Sequence, residues 1–180
     1  MSNPLPIDAV KPALFSALQS HHTLVLSAPP GAGKSTRLPL WLLSEWLLAE
    51  EGLVNQKIYL LQPRRLAVKN IAHYLAKQLN QSVGETVGYR LRNETKISSA
   101  TKLEVITEGI LTQIIQQDPE LANCALVILD EFHERSVQGD LAFALTRDVQ
   151  QSLRDDLKIL LMSATINSDQ LLTQLPDAVS

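Results

Sequence analysis

Two short stretches carry residue types suited to handling phosphate. Ala28 to Pro39 reads APPGAGKSTRLP and follows an apolar run, and residues 125 to 135 read ALVILDEFHER, an apolar run that ends in adjacent carboxylates. A glycine-rich turn between a strand and a helix points several backbone N–H groups at one spot, and the positive end of the helix dipole adds to them. That spot attracts an anion. Gly31, Ala32 and Gly33 would let the backbone wrap phosphates, Lys34 would reach the outer phosphates, and Ser35, followed by Thr36, would offer a hydroxyl to a magnesium ion. In the second stretch Asp130 would hold the same magnesium, directly or through water, while Glu131 would orient and polarise an attacking water.

Each stretch has a plainer alternative. The first could be a Gly/Pro turn with a solvated lysine, and the second a charge pair at a helix N-terminus. Their context favours chemistry, because each follows an apolar run that reads as a strand, and a phosphate cradle needs a carboxylate partner. Together they predict a P-loop nucleoside triphosphatase. The first position of the strict P-loop pattern, normally Gly, is Ala28 here.

The elements that must position these residues alternate along the chain. Apolar runs predict strands at Thr23–Ser27, Ile58–Gln62, Val87–Leu91, Leu103–Thr107, Ala125–Asp130 and Lys158–Ser163. Helical spacing predicts helices at Ile7–Gln19, Ser35–Leu48, Leu66–Gln78, Ile110–Gln116, Gly139–Ser152 and Ser168–Leu175. Residues 125 to 129 do not alternate, as expected of a central strand buried on both faces. Strand–helix alternation of this kind predicts a parallel sheet, with ligands beyond the C-terminal strand ends.

Composition narrows the class further. With 180 residues, 45% of them apolar, the chain supports one well-filled core. No apolar run approaches the roughly 20 residues a bilayer requires, and the N-terminus lacks a basic region followed by an apolar core, so a cytoplasmic protein without a membrane partner is expected. A single cysteine, Cys124, excludes an internal disulfide and a multi-cysteine zinc site. The net charge is −3, yet Lys57 to Lys102 holds nine basic and two acidic residues, leaving the rest of the chain at −10. Such a block suits an anionic polymer on one face, or a set of solvated helix faces.

Further motifs give the chain a family likeness. DEFHER resembles the DEAH box of superfamily 2 helicases, with Phe132 in place of the usual Ala. QPRR (Gln62 to Arg65) is similar to motif Ia, TEG (Thr107 to Gly109) to motif Ib, and SAT (Ser163 to Thr165) to motif III. GYRLR (Gly88 to Arg92) is similar to the GYxIR segment of the DEAH/RHA group, part of that group's RNA-contacting face. With LSAPPGAGKST, the pattern most resembles the bacterial HrpB-type branch.

This resemblance implies a RecA-like P-loop sandwich of three α/β/α layers around a mostly parallel sheet. It implies an ATP-dependent RNA helicase using ATP and Mg²⁺, with Lys34, Asp130, Glu131 and His133 in the catalytic set. His133 would link the nucleotide site to a neighbouring domain. Arg64, Arg65, Arg92, Thr101, Thr107, Glu108 and Gly109 would contact single-stranded RNA (or DNA) at one sheet edge, through phosphate and sugar. Ser163 and Thr165 would couple nucleotide state to domain motion. Tyr74 would either pack or offer its ring to the nucleotide base.

Nothing after SAT matches motifs IV to VI of that family, which lie on its second RecA-like domain. The chain is therefore expected to be a first RecA-like domain, monomeric, binding nucleotide weakly and not unwinding duplexes alone. A transporter or chaperone ATPase would share the phosphate chemistry but lack PRR, TEG and SAT in this order. A non-catalytic nucleotide-gated binding module would not need Lys34, Asp130 and Glu131.

Overall fold

The computed structural model describes residues 5–49, 51–53, 55–164 and 178–179. Eight strands form one sheet: β1 (Thr23–Ser27), β2 (Lys57–Leu61), β3 (Val87–Leu91), β4 (Glu94–Lys96), β5 (Leu103–Ile106), β6 (Cys124–Leu129), β7 (Lys158–Ser163) and β8 (Ala178–Val179). Their spatial order is β4-β3-β5-β2-β6-β7-β1-β8, and only β3 with β4 is antiparallel. Five helices join them: α1 (Lys11–Ser20), α2 (Leu38–Trp41), α3 (Arg65–Gln78), α4 (Glu108–Gln117) and α5 (Val137–Ser152).

Alternating side chains divide the interior into two layers. Leu24, Leu60, Ile128 and Leu160 point to the face covered by α1 and α3, where Leu14, Leu18, Val68 and Leu75 meet them. Val25, Leu61, Val127 and Ile159 point to the opposite face and meet Leu111 of α4 and Val149 of α5. All six residues of β6 are buried, and each large aliphatic among them contributes about 1.5–3 kcal/mol by leaving water. The result is a three-layer α/β/α sandwich around the mostly parallel sheet, as the family resemblance implies. Among the described residues no helix is long and apolar enough to cross a membrane.

Three differences from the sequence reading have physical causes. Strands β4 and β8 have three and two residues, too short to show a period in the sequence. The helix expected over Ser35–Leu48 starts only at Leu38, because the N–H groups of Thr36, Arg37 and Leu38 all converge on the Gly33 carbonyl (3.3, 2.8 and 3.3 Å). Beyond α2 the ladder widens to a π-helical turn over Leu42–Leu47, a form common near functional sites. The helix expected at Ser168–Leu175 lies outside the described residues.

Candidate nucleotide and nucleic-acid site

The C-terminal strand ends set the site. In sheet order from β3 to β1 they carry Arg92, Thr107, Gln62, Asp130, Ser163 and Ala28. At about 4.8 Å per strand this row extends roughly 24 Å, with the phosphate residues at one end and the basic residues at the other.

At the phosphate end, Gly31 and Gly33 adopt φ of +77° and +99°, which admits glycine with little strain. A Cβ on Gly33 would also lie 2.9 Å from Ile7 and from Leu5, so the N-terminal segment braces the loop. The Ile7 N–H donates to the Ala32 carbonyl at 3.2 Å, and Asp8 pairs with Arg37 at 3.0 Å. Lys34, only 4% exposed, donates to the Ala28 carbonyl and to that of Pro29 at 3.1 Å. The Ala28 N–H donates to the carbonyl of Ser163 at 3.1 Å, joining the loop to the end of β7. Thr165 lies outside the described residues.

The strand order then brings the second motif across. The Ser35 hydroxyl donates directly to Asp130 Oδ2, and Gln62 Nε2 donates to the same oxygen at 2.6 Å. Asp130 is buried, and its Oδ1 accepts the Glu131 N–H at 2.8 Å. A hydroxyl and a carboxylate in contact form an oxygen donor set suited to Mg²⁺, which normally takes one or two protein ligands plus phosphate and water. Consistently, no described group of three or more His, Cys, Asp or Glu forms an all-protein metal cage. The residues present thus fit Mg²⁺ bound together with a phosphate. A cavity of about 370 Å³ borders Ser35, Gln62, Arg64, Ala67, Ile71 and Glu131 and leaves room for such a ligand.

Glu131 occupies a left-handed backbone position (φ +52°), which turns its side chain out of the strand direction. Burial, followed by the negative charge of Asp130, pushes its carboxyl above the usual range, while His133 and Lys34 pull it partly back. A raised carboxyl is a better proton acceptor at neutral pH. His133 Nδ1 accepts the Ala164 N–H at 3.2 Å, so the ring proton sits on Nε2, 3.3 Å from Glu131 Oε2. His133 thereby ties Glu131 to the SAT segment within this chain.

At the basic end, Arg64 is the N-cap of α3 and Thr107 that of α4, and neither helix start has a side-chain cap. By contrast, Ser136 caps α5 by accepting the Gly139 N–H. Arg64, with a side chain 73% exposed, pairs with Glu134 at 2.6 Å, and Arg65 and Arg92 are exposed. Gly109 follows in the first turn of α4. Tyr74 is 46% exposed on α3, so about half of its surface is covered.

One residue of the expected strand-contacting set is placed elsewhere, and another is engaged within the chain. Thr101 precedes β5 and so lies at the opposite, N-terminal edge; it is fully buried, accepting from the Ser98 N–H and lying 2.7 Å from the Glu85 carbonyl. The carboxylate of Glu108 is engaged by Ser136 at 2.7 Å. Arg90, in the same GYRLR segment as Arg92, turns inward to Glu104 at 2.5 Å. Sequence reasoning missed Gln62, Glu134 and Ser136 as partners of site residues, because their contacts span 68, 70 and 28 positions.

Comparison with known proteins settles the relationship. The DEAD/DEAH box helicase family matches over residues 8–173. The chain belongs to that family. This helicase-family chain is 58% identical over 174 residues to the ATP-dependent RNA helicase HrpB of Escherichia coli (strain K12), covering 97% of this chain and 21% of that protein. It is 41% identical over 165 residues to the ATP-dependent RNA helicase HrpA of Borreliella burgdorferi, covering 91% of this chain and 19% of that one. The crystal structure of the E. coli DExH-box NTPase HrpB superposes with a TM-score of 0.91 at 55% identity, over all of this chain and 22% of that one. The fold is therefore the RecA-like helicase sandwich, and the chain spans about a fifth of the length of these relatives.

Proposed function

We propose that this chain is the first RecA-like domain of an ATP-dependent RNA helicase, where it binds Mg-ATP and supplies the groups that activate water. The observation that carries this is the meeting of Ser35 with Asp130 beside Glu131, at the end of a row that continues to Arg64 and Thr107.

Gly31, Ala32, Gly33 and Thr36 present backbone to the phosphates, and Lys34 exchanges its loop carbonyls for phosphate oxygens. Ser35 and Asp130 would hold Mg²⁺, which would supply positive charge against that developing on the phosphate oxygens. Glu131 orients a water whose oxygen bonds to the γ-phosphorus as the bond to the ADP oxygen breaks, and its carboxylate receives the water proton. Arg64, Arg65, Arg92, Thr107 and Gly109 hold the phosphates of a single strand of RNA or DNA, aided by the uncapped starts of α3 and α4. Ser163, through its bond to Ala28, and Thr165 pass nucleotide state on to domain movement.

Arginines that stabilise the transferring phosphoryl group contribute about 10³- to 10⁵-fold in rate. In this reading they come from a second RecA-like domain of the same polypeptide. Purified residues 1 to 180 should bind Mg-nucleotide yet turn over ATP only at the level of Lys34→Ala, with or without single-stranded RNA. RNA-stimulated turnover well above that blank would overturn the division of labour.

A further inference from the structure

We propose that Glu108 and Ser136 form the relay by which a bound strand acts on the catalytic Glu131. Glu108 stands in the first turn of α4, directly after Thr107 on the strand-contacting edge. Its Oε2 accepts the Ser136 hydroxyl at 2.7 Å, and the Ser136 oxygen accepts the Gly139 N–H at 2.8 Å. The approach is close: a Cβ on Gly139 would lie 2.6 Å from Glu108 Oε1 and 2.9 Å from Ser136 Oγ, so these side chains would have to shift.

Ser136 ends the segment that begins at Glu131. That segment is held from the strand-contacting edge at two points, Glu134 by Arg64 at 2.6 Å and Ser136 by Glu108. Its backbone has positive φ at Glu131 (+52°) and Arg135 (+41°), a conformation that strains a non-glycine residue. A segment strained at both ends and restrained by side-chain bonds shifts readily when those bonds change. A cavity of about 70 Å³ bordered by Pro63, Glu108, Glu131, Phe132 and Ser136 gives it space to move.

Strand phosphate supplies the trigger. An anion held at Thr107 and Gly109 repels the neighbouring Glu108 carboxylate. Displacement of Glu108 releases Ser136 and lets the 131–136 segment adjust around the nucleotide. Glu108 is thus a positioning residue, acting through Ser136.

This relay rests on the proposed binding of both Mg-nucleotide and a single strand by this chain, and its test separates the two. With the 180-residue chain, the dissociation constant of fluorescent β,γ-imido-ATP with Mg²⁺ is measured with and without an oligouridylate, and that of the oligouridylate with and without nucleotide. Linkage requires the same factor both ways, of about fivefold or more. Ser136→Asp retains a capping acceptor but offers Glu108 a like charge and no donor, so both factors should fall to one while each ligand alone still binds. Ser136→Thr, which restores the hydroxyl, should restore the coupling; Ser136→Ala, which loses cap and donor together, should behave as Ser136→Asp does.

Undiminished coupling in Ser136→Asp and Ser136→Ala, or wild-type binding of both ligands without coupling, overturns the relay and leaves the proposed function standing. Failure of the wild-type chain to bind either ligand overturns both.

Discussion

Ser35 and Asp130, ninety-five positions apart, share a hydrogen bond in which the P-loop hydroxyl donates to the carboxylate at the end of β6. Strand β7 lies between β1 and β6 in the sheet, so the contact depends on the loop reaching across one strand. Gln62, at the end of β2, holds the same carboxylate oxygen from the other side. Three separate strand ends thus bring Ser35, Asp130 and Gln62 together.

Gln62 orients Asp130 without being a metal ligand itself. Loss of an outer partner of a metal ligand costs about 10- to 100-fold in metal affinity. Gln62→Leu should weaken Mg-nucleotide binding by about that factor and leave metal-free nucleotide binding unchanged, as read by fluorescent ADP titration with and without EDTA. Equal losses in both titrations would show that Gln62 acts on the loop instead.

Glu131 should trade stability for chemistry. Its carboxyl is raised in the fold by burial and by Asp130, so the fold favours the neutral form. The charged form therefore destabilises the protein above the ordinary carboxylate pKa of about 4.3, and that cost disappears as pH falls below it. Glu131→Gln should raise the melting temperature at neutral pH, lose that advantage in acid, and leave any assembled enzyme unable to hydrolyse ATP. Paired thermal melts across this pH range check the sign; a lower melting temperature at neutral pH would refute it.

Glu104 is a carboxylate buried completely within the sheet, held by Lys57 at 2.7 Å and Arg90 at 2.5 Å. Removing one partner of a buried ion pair costs about 3–5 kcal/mol because charge is left uncompensated. Glu104→Leu should fall near the lower end, since both cations retain some solvent, and the triple change with Lys57→Met and Arg90→Leu should recover most of the loss. Urea melts of the wild type, Glu104→Leu and the triple variant measure this, and a neutral Glu104→Leu would show the network to be dispensable.

Gly88 allows β3 to pass the β4 hairpin closely. A Cβ there would lie 2.4 Å from the Lys96 carbonyl oxygen, a backbone atom that cannot swing aside. Overpacking of this kind costs about 1–3 kcal/mol. The hairpin carries Arg92 in its turn and is pinned by Tyr89 and Lys69, both bonded to Glu94. Gly88→Ala should therefore lower stability by that amount and weaken oligonucleotide binding, while Mg-nucleotide affinity holds; equal effects on both ligands would contradict the separation along the sheet edge.

The sequence by itself pointed to the proposed chemistry and determined most of the scaffold. Strands β1, β3 and β7 have the bounds that the apolar runs predict, because local burial patterns end where turn residues begin. Lys34, Ser35, Asp130 and Glu131 were legible because glycine spacing and adjacent carboxylates are local signals. Tertiary structure alone decided which strand ends neighbour one another, and hence that Gln62 holds Asp130, Glu134 holds Arg64 and Ser136 holds Glu108. It also buried the Thr101 side chain against the Glu85 carbonyl and turned Arg90 inward to Glu104, directions that one polar residue in a run does not signal. Strand order and side-chain direction arise from packing between segments distant in the chain, where no local pattern records the partner.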